Sequence, residues 1–410
     1  MKKTWLIVSL VNFLIASLMG LLLRGAFVWE IEWLDYRNML HGHSHVALLG
    51  WLYLGFFIVI HAKLLPKDKA DKSVYSWLFW LTQFTVLGMA IAFPIQGYAA
   101  VSIFFSTLHI VLSYIFAVQV WKDHNREDFK SSLLLKTAIL FLFISTVGVF
   151  VVAYIMASKN GANVIYQIAI QFYLHFQFNG WLLFALLALF FNRFGAILKI
   201  GNKAFSQFYW LFLIGNILSY ALVLYWGYRW DFSYYVNAIA VVLQLLAVLA
   251  LLKSFGGNWV QLKNSLSAVQ KLLLKLLIIV FVTRTLFQFA LVIPEMAEMA
   301  VLLRLFIIGF IHLNMLGFFT AYLWLEFISK KEEKKHILKV GVSLTIVGFI
   351  LTEIIMFLQG FYYWQELGKF PYFHEALFYV SCILPIAILT FLTAFSEKGK
   401  FQIAANHLKT

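Results

Sequence analysis

A single cysteine, Cys382, stands in 410 residues. That rules out an internal disulfide and any cysteine-rich metal site, and the residue reads as a small buried thiol. Charge is scarce too. Asp, Glu, Lys and Arg make up 12% of the chain, about half the share carried by an ordinary soluble domain, so a soluble globular protein is excluded. There is no Walker loop, no GxGxxG with an acidic partner, no nucleophile elbow and no HExxH. Phosphate-loop hydrolysis, dinucleotide binding and zincin chemistry therefore lack their signatures. No low-complexity tract or long polar linker marks an extramembrane domain, so any chemistry belongs inside or at the edge of a bilayer.

What the chain has instead is apolar length. Hydrophobic residues make up 63%, with 43 Phe, 19 Tyr and 14 Trp to face lipid and line its interfaces. Twelve apolar runs of spanning length lie near 5–28, 40–62, 76–95, 98–121, 133–157, 163–192, 205–227, 231–253, 267–292, 300–327, 338–363 and 371–395. The first has no small-residue cleavage site after it and reads as a span rather than a leader. With the N-terminus placed inside, the inner segments hold 25 of the 32 Lys and Arg residues. Only Arg24, Arg37, Lys159, Arg229, Arg284, Arg304 and Lys369 remain for the outer half. The positive-inside rule then predicts a multi-pass protein of the cell inner (cytoplasmic) membrane with both termini cytoplasmic. The net charge of +14 follows from this bias and implies no nucleic-acid partner.

One pattern repeats. His45-Val-Ala-Leu-Leu-Gly50-Trp51 recurs as His175-Phe-Gln-Phe-Asn-Gly180-Trp181 and as His312-Leu-Asn-Met-Leu-Gly317-Phe318. The copies fall in the second, sixth and tenth apolar runs, and the residue eight before each histidine is polar: Arg37, Gln167 and Arg304. The expected fold is an all-α integral membrane protein, a single polytopic domain over 1–410. Its twelve transmembrane helices form three pseudo-repeated four-helix units, about 1–130, 131–260 and 261–410.

An imidazole inside hydrocarbon costs free energy unless it has a partner. Its nitrogen is the commonest protein ligand of haem iron and also binds copper. Gly50 and Gly317 would let a helix or a porphyrin face approach closely, and Trp51 offers a stacking wall. An arginine eight residues away lies about 12 Å along the axis, which suits a haem propionate for Arg37 and Arg304. The competing reading is that these side chains only hydrogen-bond helix to helix. In His41-Gly-His43-Ser-His45, His41 and His45 share a helix face while His43 points nearly opposite. One short stretch therefore serves two sites, or chelates a metal with the i, i+4 pair.

HGHSHVALLGW resembles the HxHxxxxGW signature of C-type haem-copper oxidase catalytic subunits. The twelve spans and three arcs are similar to that superfamily's subunit I over essentially the whole chain, though only the histidine segments are specific. The resemblance implies one or two b-type haems, with His45 and His312 as the axial pair of a low-spin haem. It also implies a copper-site position for His175. The chain departs from the family in three places: run 205–227 has no histidine, His175-Phe-Gln-Phe-Asn-Gly lacks the family's tyrosine, and Asn314 stands where a second histidine would be. It is similar in spirit to NnrS-type membrane proteins linked to nitric oxide. The expected function is haem-based electron transfer or diatomic gas (O2 or NO) binding, with a quinol or cytochrome donor and further membrane subunits as partners. One alternative is an active oxidase or NO reductase with a copper site rebuilt from His41, His43 and His175. Another is a proton-coupled transporter. His109, Arg284 and Glu353 are further polar residues inside the spans: His109 reads as a ligand or a packing histidine, Arg284 as an anion clamp, and Glu353 as a proton relay or quinone contact.

Overall fold

The computed structural model describes residues 2–158, 163–328 and 336–396. Lys159, Lys330, Lys331, Lys334, Lys335, Lys398, Lys400 and Lys409, which enter the charge count, lie outside the described residues. Among the described residues there is no strand, and twelve helices are long and apolar enough to cross a membrane. Spans 1 to 6 are Lys3–Gly25, Tyr36–Lys63, Ser73–Gln96, Ala100–Asp123, Phe129–Ala157 and Val164–Leu198. Spans 7 to 12 are Asn202–Tyr228, Asp231–Ser265, Ala268–Ala290, Arg304–Phe327, His336–Trp364 and Phe373–Ser396. The protein is a multi-pass helical membrane protein, as its composition requires. A helix satisfies its own backbone, which hydrocarbon cannot do.

Side chains fix several helix starts. Asp35 accepts from the Asn38 amide (2.8 Å), Asp128 from the Lys130 and Ser131 amides (3.1 and 3.2 Å), and Asn163 from the Tyr166 amide (2.9 Å). Span 3 ends at Gly97, whose φ of +61° favours glycine. Span 10 begins at Arg304, later than the apolar run implies, because Pro294–Leu302 forms a helix of its own and Leu303 is extended. Cys382, expected to be buried, is half-exposed, and its thiol donates to the Phe378 carbonyl at 3.5 Å.

In space the chain divides into two compact units. The first holds Met1–His124, Ser267–Leu274 and Ile311–Thr410, and the second Asn125–Leu266 and Lys275–Phe310. The first unit is cemented by stacked aromatics. Trp5 lies on Phe79 (4.5 Å), Phe13 on Trp51 (4.4 Å), Phe57 on Phe116 (4.0 Å) and Trp324 on Phe391 (3.6 Å). Buried amides cross the same core. Asn12 of span 1 donates to Gln83 of span 3 at 2.7 Å and to the Gly50 carbonyl at 3.0 Å, and Gln83 donates back at 3.1 Å. At the far end of spans 3 and 4, Asp123 accepts from Lys72, Tyr75 and Gln119 at 2.6 to 3.0 Å.

The second unit is built on a phenylalanine ladder that includes Phe191–Phe205 (5.2 Å) and Phe208–Phe212 (5.3 Å). Gln244 of span 8 donates to the Gly215 carbonyl and to Ser219, both at 3.0 Å. Arg229 and Glu298 pair at 3.4 Å, but both are about half exposed, so the pair adds little stability.

Hydrogen bonds between membrane helices average about 0.6 kcal/mol each. Asn12→Ala removes three of them, so it should destabilise the protein by about 2 kcal/mol in detergent unfolding. Gln83→Ala removes two of the same three. The double variant should therefore cost clearly less than the sum of the singles, and strict additivity would show that the two amides do not act as a pair.

Candidate functional site

Each of the three repeated histidines ends an α-helical stretch, and each is followed at once by a π-helical turn. These are Val46–Tyr53 after His45, Phe176–Leu182 after His175 and Leu313–Thr320 after His312. A π segment replaces i→i+4 bonds by i→i+5 bonds and is frequent at functional sites. It also leaves carbonyls in need of donors. In the first copy span 1 supplies them, Asn12 to Gly50 O (3.0 Å) and Ser9 to Trp51 O (3.5 Å). In the third copy the Thr320 hydroxyl donates to Met315 O at 2.8 Å. In the second copy Gln177 donates to Ser145 of span 5 at 3.0 Å.

The motif glycines are points of close helix approach. A Cβ at Gly50 would meet Val86 at 2.8 Å, one at Gly180 would meet Phe141 at 2.6 Å, and one at Gly317 would press on the Phe349 ring. Trp51 has a packing partner on each side, Phe13 and Trp324, and its indole N–H donates to Thr320 at 2.9 Å. Gly50, Trp51 and Gly317, expected to face a cofactor, are thus placed against protein.

The three clustered histidines separate by face. His43 donates from Nδ1 to the Ala16 carbonyl of span 1 at 2.8 Å, and Gly20 leaves room for its ring. His41 and His45 lie on the other side, against Tyr98 (4.7 and 5.8 Å) and Phe93 (6.4 and 4.1 Å). His45 Nδ1 donates to the His41 carbonyl at 2.8 Å. A carbonyl only accepts, so the Nδ1 proton is fixed, and in the neutral ring Nε2 keeps its lone pair. The Tyr98 hydroxyl lies 3.4 Å from that nitrogen, and Tyr98 is 55% exposed.

Span 10 packs beside span 2 in the register of the repeat. Trp51 and Thr320, which bond, are 269 residues apart, and His45 and His312 are 267 apart. Phe56 meets Phe319 at 6.0 Å, and a Cβ at Gly55 would meet Leu323 at 2.5 Å. His45 and His312 therefore stand at matched depth on neighbouring helices. Arg37 and Arg304 are exposed at the starts of their spans.

The second copy has a different occupation. His175 Nε2 donates to the Asn216 carbonyl at 2.9 Å, so Nδ1 is the acceptor for the Asn179 amide at 3.3 Å. Asn179 in turn accepts from Arg284 of span 9 at 2.5 Å. Arg284 is 1% exposed. Both nitrogens of His175 are thus engaged in an Arg284–Asn179–His175–Asn216 chain, and neither is left for a metal. Among the described residues no three His, Cys, Asp or Glu side chains gather closely enough to hold a bare ion. His41 and His43 belong to the first unit and His175 to the second.

Two polar side chains in the first unit remain. His109 of span 4 is 2% exposed with its Nε2 buried and unpartnered, and Glu353 of span 11 is 8% exposed with neither carboxyl oxygen hydrogen-bonded. Arg24, which donates to Met356 Sδ at 3.3 Å, is the electrostatic neighbour of Glu353. No protein-family model matches the chain, and no curated protein matches it. His45 has the backbone-anchored tautomer that metal-ligating imidazoles use, with the Tyr98 hydroxyl over its Nε2.

The second-unit chain makes a directional prediction. Asn179→Leu leaves the Arg284 guanidinium and the His175 ring without their shared amide and should cost about 2–3 kcal/mol. Arg284→Met removes the buried charge itself and should cost less. Unfolding midpoints in detergent check the order, and a larger loss for Arg284→Met would contradict it.

Proposed function

We propose that this chain is a haem-binding integral membrane protein of the haem-copper oxidase subunit I type. It serves electron transfer or diatomic gas binding in the cell inner membrane, with both termini cytoplasmic. The observation that carries the reading is the repeated histidine followed each time by a π-helical turn, with His45 holding its Nε2 lone pair by a fixed Nδ1 bond to the His41 carbonyl. The three-arc organisation of the superfamily supports it through the even spacing of those turns.

His45 is the anchor. The resemblance assigns His312 as the second axial ligand, and their matched depth on packed helices supports that pairing. Arg37, exposed at the start of span 2, would receive a propionate. When bound, the haem would supply the one-electron couple or the gas-binding iron. The chain's own contribution is to hold the His45 ring against Phe93 and to fix its tautomer through the His41 carbonyl. The engagement of both His175 nitrogens within the second unit speaks against a copper-containing oxidase or NO reductase built on that residue.

Titrating the purified full-length chain with haemin should give a Soret band that saturates at one or two haems per chain, as expected for histidine-ligated haem. His45→Ala should abolish or weaken that uptake at least tenfold, which corresponds to about 1.4 kcal/mol. Arg37→Ala should weaken it less. Haem uptake unchanged in His45→Ala would sink the assignment.

A further inference from the structure

Span 11 carries a carboxyl group into the first unit with no donor to answer it. Glu353 is 8% exposed, and neither of its oxygens is hydrogen-bonded. The span is held closely on both sides. A Cβ at Gly317 of span 10 would press on Phe349, and one at Gly348 would meet Ile383 of span 12 at 3.1 Å. Glu353 stands four residues beyond Phe349, about one turn along the same face. An ionised carboxylate without donors costs far more in such a place than the neutral acid. Asp123 is the contrast, because Lys72, Tyr75 and Gln119 all converge on it.

A cation stands close by but is bonded elsewhere. Arg24, at the end of span 1, donates from Nη2 to Met356 Sδ at 3.3 Å, and a thioether is a weak acceptor. Met356 comes three residues after Glu353, so the two share a helix face with Cβ atoms about 5–6 Å apart. Its side chain leans back over the turn that holds Glu353. The guanidinium is therefore one side-chain rotation from the carboxyl. Other titratable groups nearby are few. On span 10 there is His312, just over one turn before Gly317, and on span 12 Cys382, whose thiol donates to the Phe378 carbonyl. His374 of span 12 and Tyr36 and His43 of span 2 are electrostatic neighbours of Arg24.

We propose that Glu353 and Arg24 form a proton-exchange site in the first unit. With its proton in place Glu353 is neutral and Arg24 rests on Met356. On release the carboxyl O–H bond breaks, its electron pair stays on the carboxylate, and the proton passes to water at the Arg24 end. The guanidinium then turns from Met356 onto the carboxylate, a charge-assisted pair. This site goes beyond the haem reading and does not rest on it.

The test is a pH titration of the full-length chain in detergent, without haem, followed by infrared spectroscopy. Wild type should show the carbonyl stretch of a neutral carboxylic acid at neutral pH, lost in one step on adding base. Glu353→Gln, with the helix content of wild type by circular dichroism, should lack that band. Arg24→Met should move the step upward by about 1–3 pH units, because a nearby cation favours the anion. If Glu353→Gln does not fold, the Arg24→Met shift decides. A wild type without the band, a band that survives in Glu353→Gln, or a step unmoved by Arg24→Met would overturn the proposal.

Discussion

Hydrocarbon offers no hydrogen bonds, so every polar atom this chain carries into the membrane must be answered by another atom of the chain or by something it binds. The rest of the structure follows from that constraint. The backbone is helical almost throughout. Where it departs from the α-helix, at the three π turns, Asn12, Ser9 and Thr320 take up carbonyls of the first and third copies. Amide side chains then pair across helices, as Asn12 does with Gln83 and Asn179 with Arg284. A buried carboxylate is tolerated at Asp123 because three donors converge on it.

The same constraint sorts the three histidine copies into different roles. In the second unit the demand is met at His175, which has a donor on one nitrogen and an acceptor on the other and draws in Arg284 through Asn179, while Asn216 Oδ1 and Gln288 Oε1 stay unanswered. In the first unit it is met only in part. His45 is fixed at Nδ1, while His109 buries an unanswered Nε2 and Glu353 buries two unanswered oxygens.

Much of the fold was legible in the sequence because spanning length is a matter of apolar composition. All twelve spans are where hydropathy puts them, with ends adjusted by local caps and by the separate helix Pro294–Leu302. The opposite faces of His41/His45 and His43 follow from helical periodicity and hold. The division into two compact units was not legible, because it depends on how spans pack rather than on where repeats begin. The π turns were hidden as well, since nothing in Val46–Tyr53 differs in type from an ordinary apolar helix. The Asn12–Gln83 pair had a visible signal, two amides inside apolar runs, that went unread. The apolar contact of Phe93 with His45 had no signal at all.

The haem reading stands or falls on the His45 imidazole of the first unit holding iron. The most direct measurement is the iron and pyridine-haemochrome content of the full-length protein purified from haem-replete cells. One or two b-type haems per chain, with iron in the same ratio, is the predicted result. A chain that is folded, free of iron and haem, and active in substrate-dependent proton flux would contradict it and favour a transporter.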